Sequence, residues 1–164
     1  MADIVSPEKR SDMMSGIRGK DTKPEIMVRR LLHRLGYRFR LHRKDLPGRP
    51  DVVLPKWRTV IFVNGCYWHG HEDCHLFRPP KTRTEFWTNK IAGNRERDQR
   101  NYAALRDDGW KVVVIWECAV SKKRSLSDEL LELAISASLT SSESLIEIRG
   151  QSPVGERPIQ PVSY

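Results

Sequence analysis

Apolar residues recur along this chain with two spacings, one typical of helices and one typical of strands. Met27, Leu31 and Leu35 lie four residues apart, which predicts a helix. The capping-box pattern Thr22-Lys-Pro-Glu25 precedes this helix, and Gly36 follows it as a stop signal. Segments 37–41, 51–54 and 59–63 show the alternating or continuous apolar pattern of strands. Only a short Pro-Lys-Trp connection separates the last two, so we expect them to form a hairpin.

The second half of the chain is also predicted to contain both helices and a strand. A mostly helical stretch is predicted from Thr82 to Asp108, divided or bent at Gly93. The continuous apolar run Trp110–Trp116 predicts a strand in the interior of a sheet, and a last amphipathic helix is predicted over 125–139. The order helix, three strands, helix, strand, helix predicts an α/β fold, a sandwich whose mixed central sheet is flanked by helices.

Two terminal segments differ from this central part. Ser6-Pro7 has the pattern of a helix start, but Gly16 and Gly19 weaken the helix expected through about Ile17, so this arm is expected to order on a partner. Beyond Thr140 the chain is rich in Ser, Pro and Gly, which is typical of a loose tail. The predicted division is an N-terminal arm (1–20), one domain (21–139) and a flexible C-terminal tail (140–164).

The composition bounds the class of protein. With 164 residues, of which 38% are hydrophobic and 30% charged, the chain is long enough for one domain with a real core. No apolar run approaches the ~20 residues of a membrane helix, and Met1-Ala-Asp-Ile-Val lacks the pattern of a secretion signal. We therefore expect a soluble cytoplasmic protein, in a reducing compartment where its three cysteines are thiols or metal ligands.

The net charge of +8 is concentrated in one part of the chain. Residues 1–60 carry 15 Lys or Arg against 7 Asp or Glu, whereas residues 61–164 carry 14 of each class. A one-sided basic surface attracts polyanions through phosphate contacts and counterion release, so nucleic acid is the leading class of partner. The alternative is a merely solubilising surface. A salt titration of binding to random duplex DNA separates the two interpretations.

Cysteine and histidine residues indicate a metal site. Cys66 and Cys74 flank part of a His-rich loop, and Cys118 follows the predicted strand that ends at Trp116. Thiolates with one imidazole suit tetrahedral zinc, and four protein ligands leave no position for water, so such a site is structural. Spacing alone does not choose the imidazole, for which the candidates are His69, His71 and His75. Three unrelated buried thiols are the alternative.

A second group of residues has the chemistry of a Mg²⁺ site. Asp51 begins one predicted strand and Val63-Asn64 ends the next, so a carboxylate and a main-chain carbonyl can share an ion with phosphate oxygens. His69 lies on the loop that leaves this strand and could act as a general base. Glu25 could orient a bound water or the histidine, although its place in a capping box already explains it. Asp98, on the long helix, is more simply a solvated charge beside a neighbouring arginine.

Aromatic residues lie close to these candidates in the sequence. Tyr67 and Trp68 are on the same loop and Trp87 begins the following helix; large rings on a constrained loop can wedge between base steps. Met14 and Ile17, on the basic arm, could insert from the opposite groove. The alternative is that Tyr67 and Trp87 belong to the core.

Five motifs occur in a particular order: Asp21-Thr-Lys-Pro-Glu25, Leu46-Pro-Gly-Arg-Pro-Asp51, Val60-Ile-Phe-Val-Asn-Gly-Cys-Tyr-Trp-His69, Thr82-Arg-Thr-Glu-Phe-Trp87 and Val114-Ile-Trp-Glu-Cys118. In order and spacing, from about Lys9 to Val120, they resemble the very-short-patch repair (Vsr) endonucleases. The Gly-Cys-Tyr-Trp-His block, followed by the later Trp-Glu-Cys, is highly specific for that family.

The resemblance implies a fold related to type II restriction endonucleases. It also implies a Mg²⁺-dependent nick in one strand of duplex DNA, 5′ to the thymine of a T·G mismatch, with zinc as a structural ion. A monomer associated with the prokaryotic nucleoid is expected, with mismatch-repair proteins as further candidate partners.

Carried over by position, the resemblance implies a role for each candidate residue. Asp51 and the Val63 carbonyl hold the Mg²⁺, while His69 and Glu25 are catalytic. The implied zinc ligands, which resolve the choice of histidine, are Cys66, His71, Cys74 and Cys118. The implied DNA-contacting residues are Tyr67, Trp68 and Trp87 in the aromatic wedge, with Met14 on the arm. Asp98 matches an acidic position with a supporting role.

This chain also departs from the family pattern. Asn64 stands where members of the family can have a second histidine, and Val63 stands where they can have Thr. The loop between His71 and Cys74 is one residue longer than in family members. Three alternatives therefore stay open: a catalytically inactive mismatch-binding protein, a nicking nuclease with relaxed mismatch or sequence specificity, and a zinc-stabilised interaction domain. Retention of Asp51 and His69 argues against the first, and the basic charge argues against the last.

Overall fold

A computed structural model describes Ser6, Glu8, residues 20–121 and residues 125–151. The helices are α1 (Lys23–Arg34), α2 (Thr84–Asp107), α3 (Glu117–Val120) and α4 (Asp128–Thr140). The strands are β1 (Arg40–Leu41), β2 (Val52–Leu54), β3 (Thr59–Asn64), β4 (Lys111–Trp116) and β5 (Leu145–Ile148). A short 3₁₀ turn, Pro55–Trp57, connects β2 to β3.

The five strands form one mixed sheet in the order β1-β2-β3-β4-β5. Strand β2 is antiparallel to both β1 and β3, whereas β4 is parallel to both β3 and β5. The predicted hairpin of β2 and β3 is confirmed, with Val52 opposite Ile61. Strand β4 lies between β3 and β5, in the interior position that its continuous apolar run predicts. The predicted α/β class with a mixed sheet is therefore confirmed.

Helices cover both faces of the sheet because side chains along β3 alternate between two apolar cores. Ile61 and Val63 contribute to the core formed with α1 and α4. Phe62, between them, contributes to the second core together with Tyr102 and Leu105 of α2. Each fully buried large apolar side chain contributes about 1.5–3 kcal/mol, so these two cores set the position of β3. The end of β3 is therefore held between α1 and α2.

Side chains complete the hydrogen bonding at the helix ends. Thr22 caps α1, since its hydroxyl accepts the Glu25 N–H at 3.4 Å, and Gly36 follows the helix with φ of +82°. This agrees with the predicted capping pattern. At the other end of the sheet, Lys111 Nζ donates to the carbonyls of Ser138 and Leu139 at 2.9 Å. A half-buried lysine thus satisfies main-chain acceptors at the C-terminus of α4, where a cation is also favoured by the helix dipole.

Three boundaries differ from the predictions. Helix α2 runs without interruption through Gly93, because one helical glycine costs only about 1 kcal/mol and packing on the sheet offsets it. In the segment 37–41 only Arg40–Leu41 pairs with β2, so the predicted strand is much shorter. Helix α4 begins at Asp128, where Ser127 accepts the Leu130 N–H, rather than at residue 125.

The largest correction concerns the C-terminal segment. A loose tail was expected from Thr140, but Leu145–Ile148 forms β5, which pairs in parallel with β4. Its Leu-Ile-Glu-Ile sequence has the apolar and β-branched residues of a strand, and β4 offers a free edge for it. The predicted helix up to Ile17 lies outside the described residues, apart from Ser6 and Glu8. Within the described ranges, no helix has the length and apolar content needed to cross a membrane.

Candidate active site and metal centre

Asp51 lies directly before β2 and beside the end of β3. The antiparallel register pairs Val52 with Ile61, which brings the preceding Asp51 level with the last residues of β3. The Val63 main-chain N–H donates to Asp51 Oδ2 at 2.7 Å. The two residues proposed to share a metal ion are thus neighbours in space, although 12 positions separate them in the chain.

A glycine turn sets the entry to this strand. Gly48 has φ of +72°, and a Cβ atom there would lie 2.9 Å from Asn101 Nδ2 of α2. The turn therefore packs closely against α2, and a larger residue at position 48 would push it away. The Arg49 N–H donates to the Leu46 carbonyl at 3.1 Å and closes the turn. Asp51 is thereby fixed with respect to the helix as well as to β3.

The environment of Asp51 favours its protonated form. Burial raises the pKa of the Asp51 carboxyl from 3.8 to about 6, because the charged form loses solvation. The Val63 N–H lowers this pKa and the nearby Glu25 carboxylate raises it. A divalent cation would reverse the balance by favouring the ionised carboxylate. Hard oxygen donors are what Mg²⁺ prefers, so the residues present fit that ion.

Glu25 is buried at the start of α1 in a network of donors. Its carboxylate accepts the Asp21 N–H at 2.9 Å, the Thr22 hydroxyl at 3.2 Å and the Arg29 guanidinium at 3.0 Å. Arg29 also donates to Asp21 at 2.7 Å, and its Nη2 lies 2.9 Å from His42 Nε2. The capping role and the predicted site role of Glu25 are therefore compatible, because the same carboxylate caps the helix and lies near Asp51.

Asp98 of α2 pairs with the candidate general base. His69 Nδ1 lies 2.5 Å from Asp98 Oδ2, so the imidazole has a carboxylate partner on that side. The loop that carries His69 packs closely against α2, because a Cβ on Gly70 would lie 2.7 Å from Ile91 Cγ2. The Asn94 amide also donates to the Trp68 carbonyl at 2.9 Å. Asp98 is therefore not a solvated charge beside a neighbouring arginine, as the simpler interpretation of the sequence has it, because it contacts His69.

Both groups of residues flank the same end of β3. The Asp51 carboxylate accepts from the Val63 main chain, and the main-chain N–H of His69 donates to the carbonyl of Gly65, two residues after Val63, at 3.2 Å. The charges of Asp51 and Asp98 both act on Tyr102, which lies against this end of the strand. The arrangement can therefore bring a buried carboxylate, a main-chain carbonyl and an oriented imidazole to one location.

The loop and the start of α2 form a single aromatic cluster. Tyr67 and Trp68 have ring centroids 5.4 Å apart, and Trp87 lies 5.8 Å from Trp68 and 6.5 Å from Tyr67. Phe86, which is 48% exposed, extends the cluster at 5.2 Å from Trp87, and Lys90 lies over two of the rings. The cluster is only partly buried, unlike a core, and carries a cation at its edge. Met14 and Ile17 lie outside the described residues.

A second cluster brings together three thiols and one imidazole: Cys66, His71, Cys74 and Cys118, whose potential ligand atoms all lie within 4.8 Å of one another. The cluster could hold a metal ion. His71 Nδ1 lies 3.6 Å from Cys118 Sγ, whereas His69 is paired with Asp98. The Cys118 N–H donates to Cys66 Sγ at 3.4 Å.

The donor set of this cluster fits zinc. Three sulfur donors and one nitrogen donor match the soft, four-coordinate sites that zinc occupies. A hydrogen bond from Cys66 lowers the pKa of the Cys118 thiol, whereas the pKa of Cys66 is raised in turn. The Gly150 N–H also donates to Cys118 Sγ at 3.3 Å. Such donors are typical of sulfurs that carry negative charge, as metal-bound thiolates do.

The residues around β5 enclose the Cys/His cluster from outside. Arg149 Nη2 donates to the carbonyls of Glu72 and Asp73 at 2.9 and 3.0 Å, in the loop between two of the potential ligands. Trp116, whose indole N–H donates to Glu147 at 3.4 Å, stacks on His71 with centroids 3.9 Å apart. The end of the sheet and the loop are therefore tied together at several points.

Some residues of these sites were absent from the sequence predictions. Arg29 lies four residues after Glu25 on α1, a spacing that predicts an ion pair, so this partner could have been found. His42, Tyr102 and Arg149 give no such local signal, because their partners lie in distant elements. Phe86 could have been included with its neighbour Trp87, since both lie in the same motif.

The chain is thus an α/β protein with a Cys/His cluster that could hold a metal ion and a carboxylate–imidazole pair at one strand end, a combination that has the features of an enzyme active site. The model of the DNA mismatch endonuclease Vsr family matches residues 2–76. The type II nicking enzyme V.XorIIP of Xanthomonas oryzae pv. oryzae is 53% identical over 130 residues, or 79% of this chain and 95% of the relative. The DNA mismatch endonuclease Vsr of Escherichia coli is 46% identical over 131 residues, or 80% of this chain and 83% of the relative. The chain therefore belongs to the Vsr family.

Proposed function

We propose that this protein is a Mg²⁺-dependent endonuclease that nicks one strand of duplex DNA, 5′ to the thymine of a T·G mismatch. The observation that carries the proposal is the meeting of Asp51, the Val63 main chain and the His69–Asp98 pair at one end of β3. Metal-assisted hydrolysis of a phosphodiester uses a carboxylate that binds the metal and a group that accepts a proton from water, and these residues can supply both. Membership in a family of DNA mismatch endonucleases supports the substrate.

The proposal includes a fold related to type II restriction endonucleases. Support comes from the mixed sheet with helices on both faces and from the acidic residue directly before β2, beside the end of β3. Ligands of α/β sheets commonly bind at strand ends, as the candidate residues do here. The fold alone does not define an activity, so the reaction is argued from the site.

Each residue at the strand end has a proposed role. Asp51 and the Val63 carbonyl would hold Mg²⁺, which when bound neutralises charge that develops on the phosphate. Asp98 accepts His69 Nδ1–H, which leaves Nε2 to take the proton of the attacking water. The water oxygen bonds to phosphorus while one of the two ester bonds from phosphorus to a sugar oxygen breaks. That oxygen leaves as a terminal hydroxyl after it takes up a proton from water, and the other strand end keeps the phosphate. Glu25, kept in place by Arg29, would orient water near Asp51.

The proposed DNA contacts lie on the aromatic cluster and the basic N-terminal part of the chain. Tyr67, Trp68 and Trp87 would enter the base stack at the mismatch, where unstacking costs least. Met14 and Ile17 would contact the opposite groove. The excess of 15 Lys or Arg over 7 Asp or Glu in residues 1–60 supports phosphate contacts. The Cys/His cluster would hold structural zinc, and we expect a monomer to act.

Nicking assays on matched duplexes test the proposal. The substrates differ only in having a T·G, T·A or C·G pair at one position, and each is incubated with Mg²⁺ or with EDTA. We expect one strand of the T·G duplex to be cut only with Mg²⁺, and Asp51→Asn to bind this duplex without cutting it. The control is Asp107→Asn, an exposed carboxylate at the end of α2.

The other results of this assay correspond to the alternatives. Selective binding of the T·G duplex without any nicking by the unaltered protein would instead identify an inactive mismatch-binding protein. Equal nicking of the three duplexes would identify a nuclease with relaxed specificity. If the protein neither binds nor nicks any of the three duplexes, the zinc-stabilised interaction domain becomes the better interpretation.

A further inference from the structure

A buried hydrogen bond joins the end of β3 to α2 beside the candidate active site. Asn64 Nδ2 donates to Tyr102 Oη at 2.8 Å, and the two residues are only 5% and 4% exposed. Asn64 directly follows Val63, whose N–H donates to the Asp51 carboxylate. The hydrogen bond therefore fixes the main chain immediately next to the proposed metal ligands, and Tyr102, its acceptor, is not among the predicted site residues.

The same face of α2 contacts both halves of the site. Asp98 and Tyr102 lie four residues apart, so their side chains project from adjacent turns on one side of the helix. Asp98 pairs with His69, and Tyr102 accepts from Asn64. One rigid helix thus sets the distance between the imidazole and the strand end that carries the Val63 carbonyl.

The ring and the hydroxyl of Tyr102 have different contacts, so their roles can be tested separately. The ring packs against Phe62 with centroids 5.1 Å apart, in the core between β3 and α2. Burial, and then the charge of Asp98, raise the pKa of the Tyr102 hydroxyl, so it stays protonated near neutral pH. A hydroxyl that does not ionise is a hydrogen-bonding group and not a general base.

We propose that the Tyr102 hydroxyl is a positioning group of the nicking reaction: through Asn64 it fixes the Val63 carbonyl and Asp51 relative to His69. This inference rests on the proposed function. Phenylalanine at position 102 would keep the core contact with Phe62 and leave the Asn64 amide without its partner. The strand end would then no longer be fixed to α2, and ligand and base would lose their alignment.

Kinetics of Tyr102→Phe on the T·G duplex test the inference. We expect kcat to fall about 10- to 100-fold, as is typical when a residue that orients a metal ligand is removed, with KM for DNA unchanged. The Mg²⁺ concentration for half-maximal rate should rise, because the metal ligands are less well placed. The matched control is Tyr37→Phe, which removes a hydroxyl 3.3 Å from Ser136 Oγ, against α4. We expect this control to nick at the unaltered rate.

A double variant separates positioning from stability. Asn64→Leu combined with Tyr102→Phe removes both polar partners, so no buried group is left unsatisfied and the thermal midpoint should recover relative to either single variant. We expect the nicking rate to stay low, since the link between β3 and α2 is still missing. Recovery of the rate together with the thermal midpoint would show a structural role only and would overturn the inference.

The unaltered protein distinguishes this inference from the proposed function. If it nicks the T·G duplex and Tyr102→Phe nicks at the same rate with the same Mg²⁺ dependence, the inference alone is overturned. If the unaltered protein does not nick at all, the proposed function is overturned, and the inference with it.

Discussion

The imidazole of His69 and the carboxylate of Asp98 lie 2.5 Å apart, and their contact joins the loop after β3 to the middle of α2. The two residues are 29 positions apart in the chain, and each is only partly exposed. A carboxylate on Nδ1 determines which ring nitrogen is free for chemistry. The position of α2 on the sheet therefore decides how the proposed general base is oriented.

Replacing the carboxylate should slow the reaction without weakening binding. We expect Asp98→Asn to lower kcat about 10- to 100-fold with unchanged KM, because the amide cannot stabilise a protonated imidazole. Single-turnover nicking of the T·G duplex is the measurement, and Asp107→Asn, exposed on the last turn of the same helix, is the control. An unaltered rate in Asp98→Asn, with His69→Ala inactive, would contradict the orienting role.

The raised pKa of Asp51 makes stability depend on pH in the Mg²⁺-free protein. The folded state holds the carboxyl proton up to about pH 6, whereas the usual pKa is 3.8. Binding of this proton therefore contributes fully to the free energy of unfolding below pH 3.8, and the contribution is lost as the pH rises through about 6. Asp51→Asn lacks the ionisation, so its stability relative to the unaltered protein should increase with pH, by about 3 kcal/mol at most.

Urea unfolding of both proteins in Mg²⁺-free buffer, at about pH 4 and about pH 7, measures this difference. Titrating groups that do not interact with Asp51 affect the two proteins equally and cancel in the comparison, which leaves Asp51 and its charged neighbours such as Glu25. A difference in unfolding free energy that stays constant over this range would mean that Asp51 is not desolvated in the folded state. Added Mg²⁺ should favour the ionised carboxylate and reduce the difference near neutral pH.

Two histidines of one loop allow a matched test of the Cys/His cluster. We expect one zinc ion per chain in the unaltered protein and in His75→Ala, and loss of zinc in His71→Ala, which removes the imidazole beside Cys118 Sγ. Because metal binding stabilises the folded state, His71→Ala should lose about 3 kcal/mol or more of unfolding free energy. Elemental analysis and thermal unfolding are the measurements. Equal zinc content in the two variants would exclude His71 as a ligand.

Two glycines that contact or form α2 should respond in opposite directions to alanine. Gly70 has φ of +59°, and an added Cβ would lie 2.7 Å from Ile91 Cγ2, so Gly70→Ala should lower stability by about 1–3 kcal/mol and move the loop that carries His69. Gly93 lies inside α2 with nothing within 4 Å of its added Cβ. Gly93→Ala should stabilise the protein by about 0.5–1 kcal/mol. Chemical denaturation of the two variants checks both signs.

Local signals account for the parts of the fold that the sequence predicts well. The capping pattern before α1 needs only Thr22 and Glu25, three residues apart, and the β2–β3 hairpin needs two apolar runs with a short connection. The buried strand β4 is likewise recognisable from its continuous apolar run. In each case residues close together in the chain carry the information.

The errors concern contacts between distant elements. Strand β5 has only four residues, lies between Ser-rich and Gly-containing segments, and becomes a strand because β4 presents an edge to it. The same holds for Asn64 and Tyr102, whose hydrogen bond depends on the packing of α2 against β3. Residue type and position at a strand end suffice to predict Asp51 and His69 as site residues, but the partners that contact them come from tertiary structure.

The contacts of Arg149 and Gly150 have a consequence for how the chain matures. A ribosome releases the sequence from its N-terminus, so Cys66, His71 and Cys74 emerge well before β4 and β5 exist. The loop that carries His69 lacks its contact with Cys118 until that residue has been synthesised. The hydrogen bonds from Arg149 to the loop and from Gly150 to Cys118 form later still. The Cys/His cluster and the contacts that enclose it can therefore be complete only once residue 150 has been synthesised, so the loop that carries His69 is among the last parts of the described fold to be fixed.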